Sequence, residues 1–333
     1  MYTKDEFRKA ASEILAMSPY PAVKFKIAHD FLGYEKDAGN AEFDKWYADF
    51  LHSDIVNELV SEQRGDGSWG ELMKSDYTSK RKVPNTCGGI GRALYMGMNE
   101  KYDGRGIIES ALGYLCDAYT GKIKLPIYEK NERAAHIQSY TIASMIESLS
   151  PYNPICDGIW DNWSYVAWRA FSSGEYRHEL DFKAQNELFG IKGDRLIPLP
   201  IGFLLARKER LPEFVEPAML DHYGRGAYYH GYFWPEPLSK IPESFKWNKT
   251  HRLIPVIEHI NGFSKTKYYL CDLMEWFVQS RGDDGFWDWG AQMPDPFGYR
   301  RYLTLTKNYA LNRKIHCSVE VLSVLHDYIT NNS

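Results

Sequence analysis

The sequence carries no excess of positive charge. Its 40 Lys and Arg stand against 44 Asp and Glu, for a net charge of −4, so no basic field marks it for nucleic acid. No apolar run reaches the length that a bilayer span requires. Cysteine is sparse: Cys87, Cys116, Cys156, Cys271 and Cys317 are odd in number, scattered, and never spaced as a CxxC pair. That pattern reads as a reduced intracellular protein. The opening, "MYTKDEFRKAASEILAM", is charged and amphipathic and has no apolar centre of the kind a signal peptide needs. A cytoplasmic location is the resulting expectation. Strand-like alternation of apolar and polar residues is almost absent, so the chain reads as all-α.

Aromatic side chains are abundant, with 24 Tyr and 10 Trp, and apolar residues make up 44% of 333. There is material for a sizeable core, and the aromatic surplus suits either an apolar or sugar-lined cavity or large helix interfaces. The most informative feature is an outline that recurs. "RKIHCSVEVLSVL" from Arg313 and "RKVPNTCGGIGRAL" from Arg81 share two basic residues, a short apolar step and an apolar helical run. "RAAHIQSYTIASMI" from Arg133, "RLIPLPIGFLLA" from Arg195 and "RLIPVIEHI" from Arg252 repeat it, and "SPYPAVKFKIAHDFLG" is a weaker copy upstream. The starts fall roughly 50 to 60 residues apart, the period of a large repeat architecture.

Each start reads as a helix N-terminus, where Pro is tolerated because its missing N–H would have no partner anyway. The predicted starts are Pro21, Pro84, Ala134, Ile197, Ile254 and Lys314. Another helical pattern precedes each one, least clearly at "LPEFVEPAMLDHY". Six helical hairpins can bury both faces of their more apolar helices by closing into a ring, an (α/α)6 toroid with inner parallel helices and amphipathic outer ones. An open superhelix of helix pairs is the alternative. The expected organisation is one domain over residues 1–333, interrupted by a long aromatic, Pro-rich insertion at about 221–251.

Two loops, "QRGDGSWG" (Gln63–Gly70) and "QSRGDDGFWDWG" (Gln279–Gly290), resemble the Gln–Asp-Gly–Trp motif of the squalene cyclase (terpenoid cyclase) and protein prenyltransferase β-subunit superfamily. The resemblance covers the two ends of the chain and implies a toroid in which Trp69 and Trp287 are braces. It does not extend to the family's chemistry. The DxDD acid motif of class II cyclases is missing, and Asp283, Asp284 and Asp288 lie in a bracing loop, unlike the DDxxD of class I enzymes. His316 stands where the prenyltransferases place a zinc-binding His, but Asp284-Gly285-Phe286 replaces their Asp-x-Cys. Cys317 is about 100° round the helix from His316, and zinc needs three or four convergent ligands. No metal and no cofactor are therefore expected. Lanthipeptide cyclases share the toroid, but "NTCGGIGRAL" lacks their Cys-His pair.

Parallel inner helices would gather their positive ends at one mouth of the ring. Arg81, Arg133, Arg195, Arg252 and Arg313 would add charge there, as a rim for phosphate or carboxylate or as partners of neighbouring carboxylates. Superposing the starts sets His136, His316, Tyr140, His259 and Glu320 on corresponding faces, as candidate acid–base groups lining one cavity. Tyr228, Tyr229, Tyr232 and Trp234 of the insertion, with Phe233, would close over it. Three readings of function follow. The first is an enzyme resembling terpenoid cyclases and prenyltransferases, a lyase, isomerase or transferase acting on a prenyl-type or other hydrophobic substrate, with or without an anionic head group. The second is a glycoside hydrolase or polysaccharide lyase, with Glu258 and Glu320 as carboxylates. The third is a non-catalytic toroid that binds a peptide or a partner subunit.

Overall fold

The computed structural model of the protein describes residues 2–36, 38–73, 81–125, 132–190, 201–225, 237–246, 250–290 and 309–332, with the backbone alone at 132–134, 250–252 and 309. The described residues hold fourteen α-helices and no strand. The first, α1 (Lys4–Met17), opens on a capping box in which the Thr3 hydroxyl accepts the Glu6 N–H and the Glu6 carboxylate accepts the Thr3 N–H. Its apolar residues Phe7, Ala10, Ala11, Ile14 and Leu15 recur at helical spacing, and all are buried. Pro21 then opens α2 (Pro21–Lys26), which runs on into a single π turn, Ile27–Phe31.

The chain continues through α3 (Ala41–Leu51), α4 (Asp54–Glu62), α5 (Thr86–Tyr95), α6 (Ile107–Tyr119) and α7 (Glu132–Leu149). Next come α8 (Asp157–Ala170), α9 (His178–Phe189), α10 (Ile201–Leu205) and α11 (Val215–Arg225). The last three are α12 (Thr250–Asn261), α13 (Lys267–Gln279) and α14 (Tyr309–Asn331). Helix α2 packs on α3, α5 on α6 and α7, α7 on α10, and α12 on α14. Lys208, just past α10, donates to the Gly262 carbonyl at the end of α12 at 3.1 Å. The two chain ends meet, because α14 packs against both α1 and the π turn, with the His326 ring 5.7 Å from those of Phe7 and Phe31.

The two tryptophan loops have one hydrogen-bond plan. The Trp69 indole donates to the Leu59 carbonyl at 2.8 Å, and the Trp287 indole donates to that of Phe277 at 2.6 Å. Their backbone N–H groups donate to the hydroxyls of Thr86 in α5 and Ser318 in α14. Both indoles are fully buried. Thr86 and Ser318 lie two residues beyond Pro84 and His316, so the register read between those two repeats is the register of their contacts. The pairing of Gln63 with Gln279 needs correction. Gln63 donates to the Gly67 carbonyl at 3.0 Å, and its counterpart, four residues before the second turn glycine, is Arg281, which donates to the Gly285 carbonyl at 2.8 Å. Gln279 instead donates to Glu275, one turn back on its own helix, at 3.3 Å.

The loops also tie down the next helix. Gln63 donates to the Ile107 carbonyl at the start of α6, whereas Arg281 forms an ion pair with Glu13 of α1. Gly67 has φ +86, and a Cβ there would lie 2.0 Å from the Ser110 carbonyl oxygen of α6. Only glycine fits at that point.

Several expected boundaries shift. Helix α12 begins at Thr250, so Pro255 stands inside it, where the carbonyl one turn back loses its helical donor. Helix α14 begins at Tyr309, which puts His316 mid-helix and not in a first turn. The second and fourth preceding patterns are each two helices, broken at His52-Ser53 and between Phe171 and Arg177. The insertion expected from Asp221 starts later, because α11 extends to Arg225, helped by the Asp221–Arg225 ion pair at 2.7 Å. Within that insertion, residues 226–236 and 247–249 lie outside the described residues.

Candidate functional site

One set of polar groups that converges inside the molecule lies between α2, α5 and α14. Lys26, at the end of α2, is 6% exposed and holds Asp30 at 2.7 Å. The spacing of four would read as an ordinary surface pair on a helix. Here Lys26 is buried just before the π turn and Asp30 is half-buried within it, and such turns recur at functional sites. Burial pushes the Asp30 carboxyl up, but Lys26 and His29 outweigh it and hold it down at about 2. The Lys26 ammonium lies 5.1 Å from the centre of the Tyr95 ring and 5.7 Å from that of Phe31.

Tyr95, the last residue of α5, continues the cluster. Its ring centre is 6.2 Å from that of His316, and Trp289 approaches the same imidazole from the loop before α14, at 5.9 Å. The His316 Nε2 is 3.8 Å from the Glu320 carboxylate, one turn on along α14. Glu320 is 4% exposed and His316 retains partial access. An imidazole beside a buried carboxylate, walled by Tyr95 and Trp289, can take or give a proton to a group placed against it. Lys26, Asp30, Tyr95 and Trp289 did not stand out in the sequence. The only cue was the spacing of Lys26 and Asp30 in the weakest of the six repeats.

The five acid–base candidates do not share one set of neighbours, so the single cavity expected for them is not what these contacts show. His136 and Tyr140 face α8 and α9, where the His136 ring lies 3.9 Å from that of Phe189 and 5.2 Å from that of Trp163. Burial lowers His136 to about 4 and raises Tyr140. His259 is exposed in the last turn of α12.

The arginine rim divides in a similar way. Arg313 is held by both oxygens of Asp288, at 2.6 and 2.8 Å, and that bond keeps the Asp288 carboxyl below its usual range. Arg81 donates to the Trp69 carbonyl at 3.2 Å. Both serve the tryptophan loops. Arg195, Tyr228, Tyr229, Tyr232, Phe233 and Trp234, and the side chains of Arg133 and Arg252, lie outside the described residues.

Among the described residues no three His, Cys, Asp or Glu side chains form a group able to hold a metal ion, and no helix is long and apolar enough to cross a membrane. Burial raises the thiols of Cys87 and Cys156 to about 12 and drives Cys317 up as well, which leaves these three unreactive. No protein-family model matches the chain, no curated protein matches its sequence, and no solved structure matches its fold.

Proposed function

We propose that the chain is an enzyme on an (α/α)6 toroid, resembling terpenoid cyclases and protein prenyltransferases in architecture. In this reading His316 is its proton-transfer group and Glu320 orients the imidazole. The observation that carries the proposal is the half-buried His316 beside the buried Glu320 carboxylate, walled by Tyr95 and Trp289, with Lys26 on the Tyr95 ring. Ionisable groups are costly to hold in an apolar interior, and clusters of them in a cleft are candidates for functional sites. The aromatic walls favour a prenyl-type or similarly hydrophobic substrate, and an anionic head group would have to share Lys26 with Asp30. The chemistry is general acid–base transfer that uses neither a DxDD motif nor zinc.

The ring itself rests on neighbour relations. Helix α5 packs on α7, α7 on α10, α12 on α14 and α14 on the π turn. Lys26 of α2 lies 5.1 Å from the Tyr95 ring of α5, and Lys208 after α10 bonds Gly262 after α12, relations that support a ring. The tryptophan loops add to this. Each binds the helix that would follow it in a ring, and for the last loop that helix is α1.

A binding panel tests the proposal. Titration calorimetry of the full chain with farnesyl thiodiphosphate, a slow-reacting prenyl diphosphate, should give saturable binding that is lost in Lys26→Met. Retention on a glycan array with no prenyl binding would move the protein to the carbohydrate reading. Inertness to both, with capture of a helical partner, would make it a binding scaffold.

A further inference from the structure

Asp30 joins Lys26 to a histidine that the proposed chemistry does not use. Its Oδ2 accepts from the Lys26 ammonium at 2.7 Å, and its Oδ1 lies 2.5 Å from the His29 Nδ1. Among the described residues these side chains make no other hydrogen bond or ion pair. The unit is held in place. The His29 ring is stacked on Phe25, 10° from parallel, and lies edge-on to Tyr102 with centres 4.3 Å apart. Gly97 closes on the carboxylate, since a Cβ there would lie 3.3 Å from the Asp30 Oδ1. An anion that approaches Lys26 therefore meets a carboxylate already fixed beside it.

Charge decides what such a unit can bind. Asp30 is held down at about 2, so it stays ionised at neutral pH. With His29 neutral, Asp30 cancels the Lys26 ammonium, and an added anion leaves the half-buried unit negative, which is unfavourable away from water. With His29 protonated, the imidazolium balances Asp30 and the ammonium is left to balance the anion. Imidazole is the side chain that ordinarily changes charge between pH 5 and 8. The two states differ by one proton beside Asp30, whatever other charges surround the site.

We infer that His29 decides whether Lys26 accepts an anionic head group: the anion binds at Lys26 together with a proton on His29. This rests on the reading of the Lys26 cluster as the place where substrate binds. Other charged groups approach His29 from the elements around it. Lys101 lies 5.6 Å from the Tyr102 ring and pairs with Glu35, and Lys36 lies 5.5 Å from the Tyr47 ring. On the α14 side His326, beside Asp327, packs on Phe31, and from α1 Arg8 donates to the Leu32 carbonyl. All of these remain when His29 alone is replaced.

The test is titration calorimetry of the full chain with octyl sulfate, whose charge is constant between pH 5.5 and 8.5, using octanol as the uncharged comparator. The parent should bind octyl sulfate more tightly than octanol, with affinity falling roughly tenfold from pH 5.5 to 8.5, the coupling of two charges about 10 Å apart in protein. Lys26→Met should bind it no better than octanol. His29→Gln should show the weaker affinity at both pH values. Asp30→Asn, which frees Lys26 without a proton, should bind at pH 8.5 at least as tightly as the parent at pH 5.5. That variant keeps the test open if His29→Gln fails to fold. Lys26-dependent binding with the same pH dependence in His29→Gln, or weaker binding in Asp30→Asn, would overturn the inference and leave Lys26 as the head-group site. No binding of octyl sulfate, or binding indifferent to Lys26→Met, would overturn the inference and the role of Lys26 together, while proton transfer at His316 would still stand or fall by its own product assay.

Discussion

His136 shows how one residue can serve packing at the expense of acid stability. Its ring is stacked among Phe189, Trp163 and Tyr140, and burial lowers its pKa from 6.5 to about 4. Between those values the unfolded chain takes up a proton that the folded chain refuses. Stability is therefore complete above pH 6.5 and declines as the pH falls toward 4. With the ring partly accessible, the loss amounts to about 2 kcal/mol. Urea unfolding at pH 7 and pH 4.5 should show His136→Phe losing less stability on acidification than the parent. Equal losses would mean the imidazole is not kept neutral by its neighbours. Arg207, 1% exposed, is the contrary case of a buried ion that is fully paired. It donates to both Glu147 oxygens and to Asp157, and the Asn153 carbonyl takes a further bond.

At the scale of the element, α5 owes its position to two of its glycines differently. A Cβ on Gly89 would lie 2.3 Å from the Trp69 ring, whereas one on Gly91 would meet nothing within 4 Å. Gly89→Ala should destabilise by about 1 to 3 kcal/mol through overpacking. Gly91→Ala should stabilise by about 0.5 to 1 kcal/mol through helix propensity. Thermal melts of the two variants shifting in the same direction would contradict the bracing geometry.

The tryptophan loops were legible in the sequence because Asp-Gly fixes a turn and the Trp follows two residues later. The equivalence of Arg281 with Gln63 was hidden, since the residue types differ and a tempting glutamine sits two positions away. Helix starts were legible where proline opens the helix, as at Pro21. They were misread at Pro255, because a proline inside a packed helix leaves the same mark in the sequence. The π turn that holds Asp30 beside the buried Lys26 could not be read, since a π turn has no composition of its own.

For the whole molecule the decisive contact is between the two ends of the chain. Phe7 of α1 is 2% exposed and packs on both His326 of α14 and Phe31 of the π turn. Phe7→Ala should cost about 3 to 5 kcal/mol, the range for an excised core aromatic. It should also accelerate amide exchange in α14, at the other end of the sequence, because opening there is governed by local contact density. If exchange changed in α1 alone, the ends would not form one cooperative unit.

The central claim is that the cluster between α2, α5 and α14 transfers a proton to or from a hydrophobic substrate. The most direct measurement is mass-spectrometric detection of products from a panel of prenyl diphosphates and cyclic terpenoids, run with the parent chain, His316→Ala and Glu320→Gln. The account predicts a product from the parent, at least a hundredfold less from His316→Ala, in line with the loss of a general acid or base, and a smaller loss from Glu320→Gln. Melting temperatures should stay close to that of the parent, since His316 keeps partial access to solvent. Turnover undiminished in His316→Ala, with the fold intact, would contradict the account.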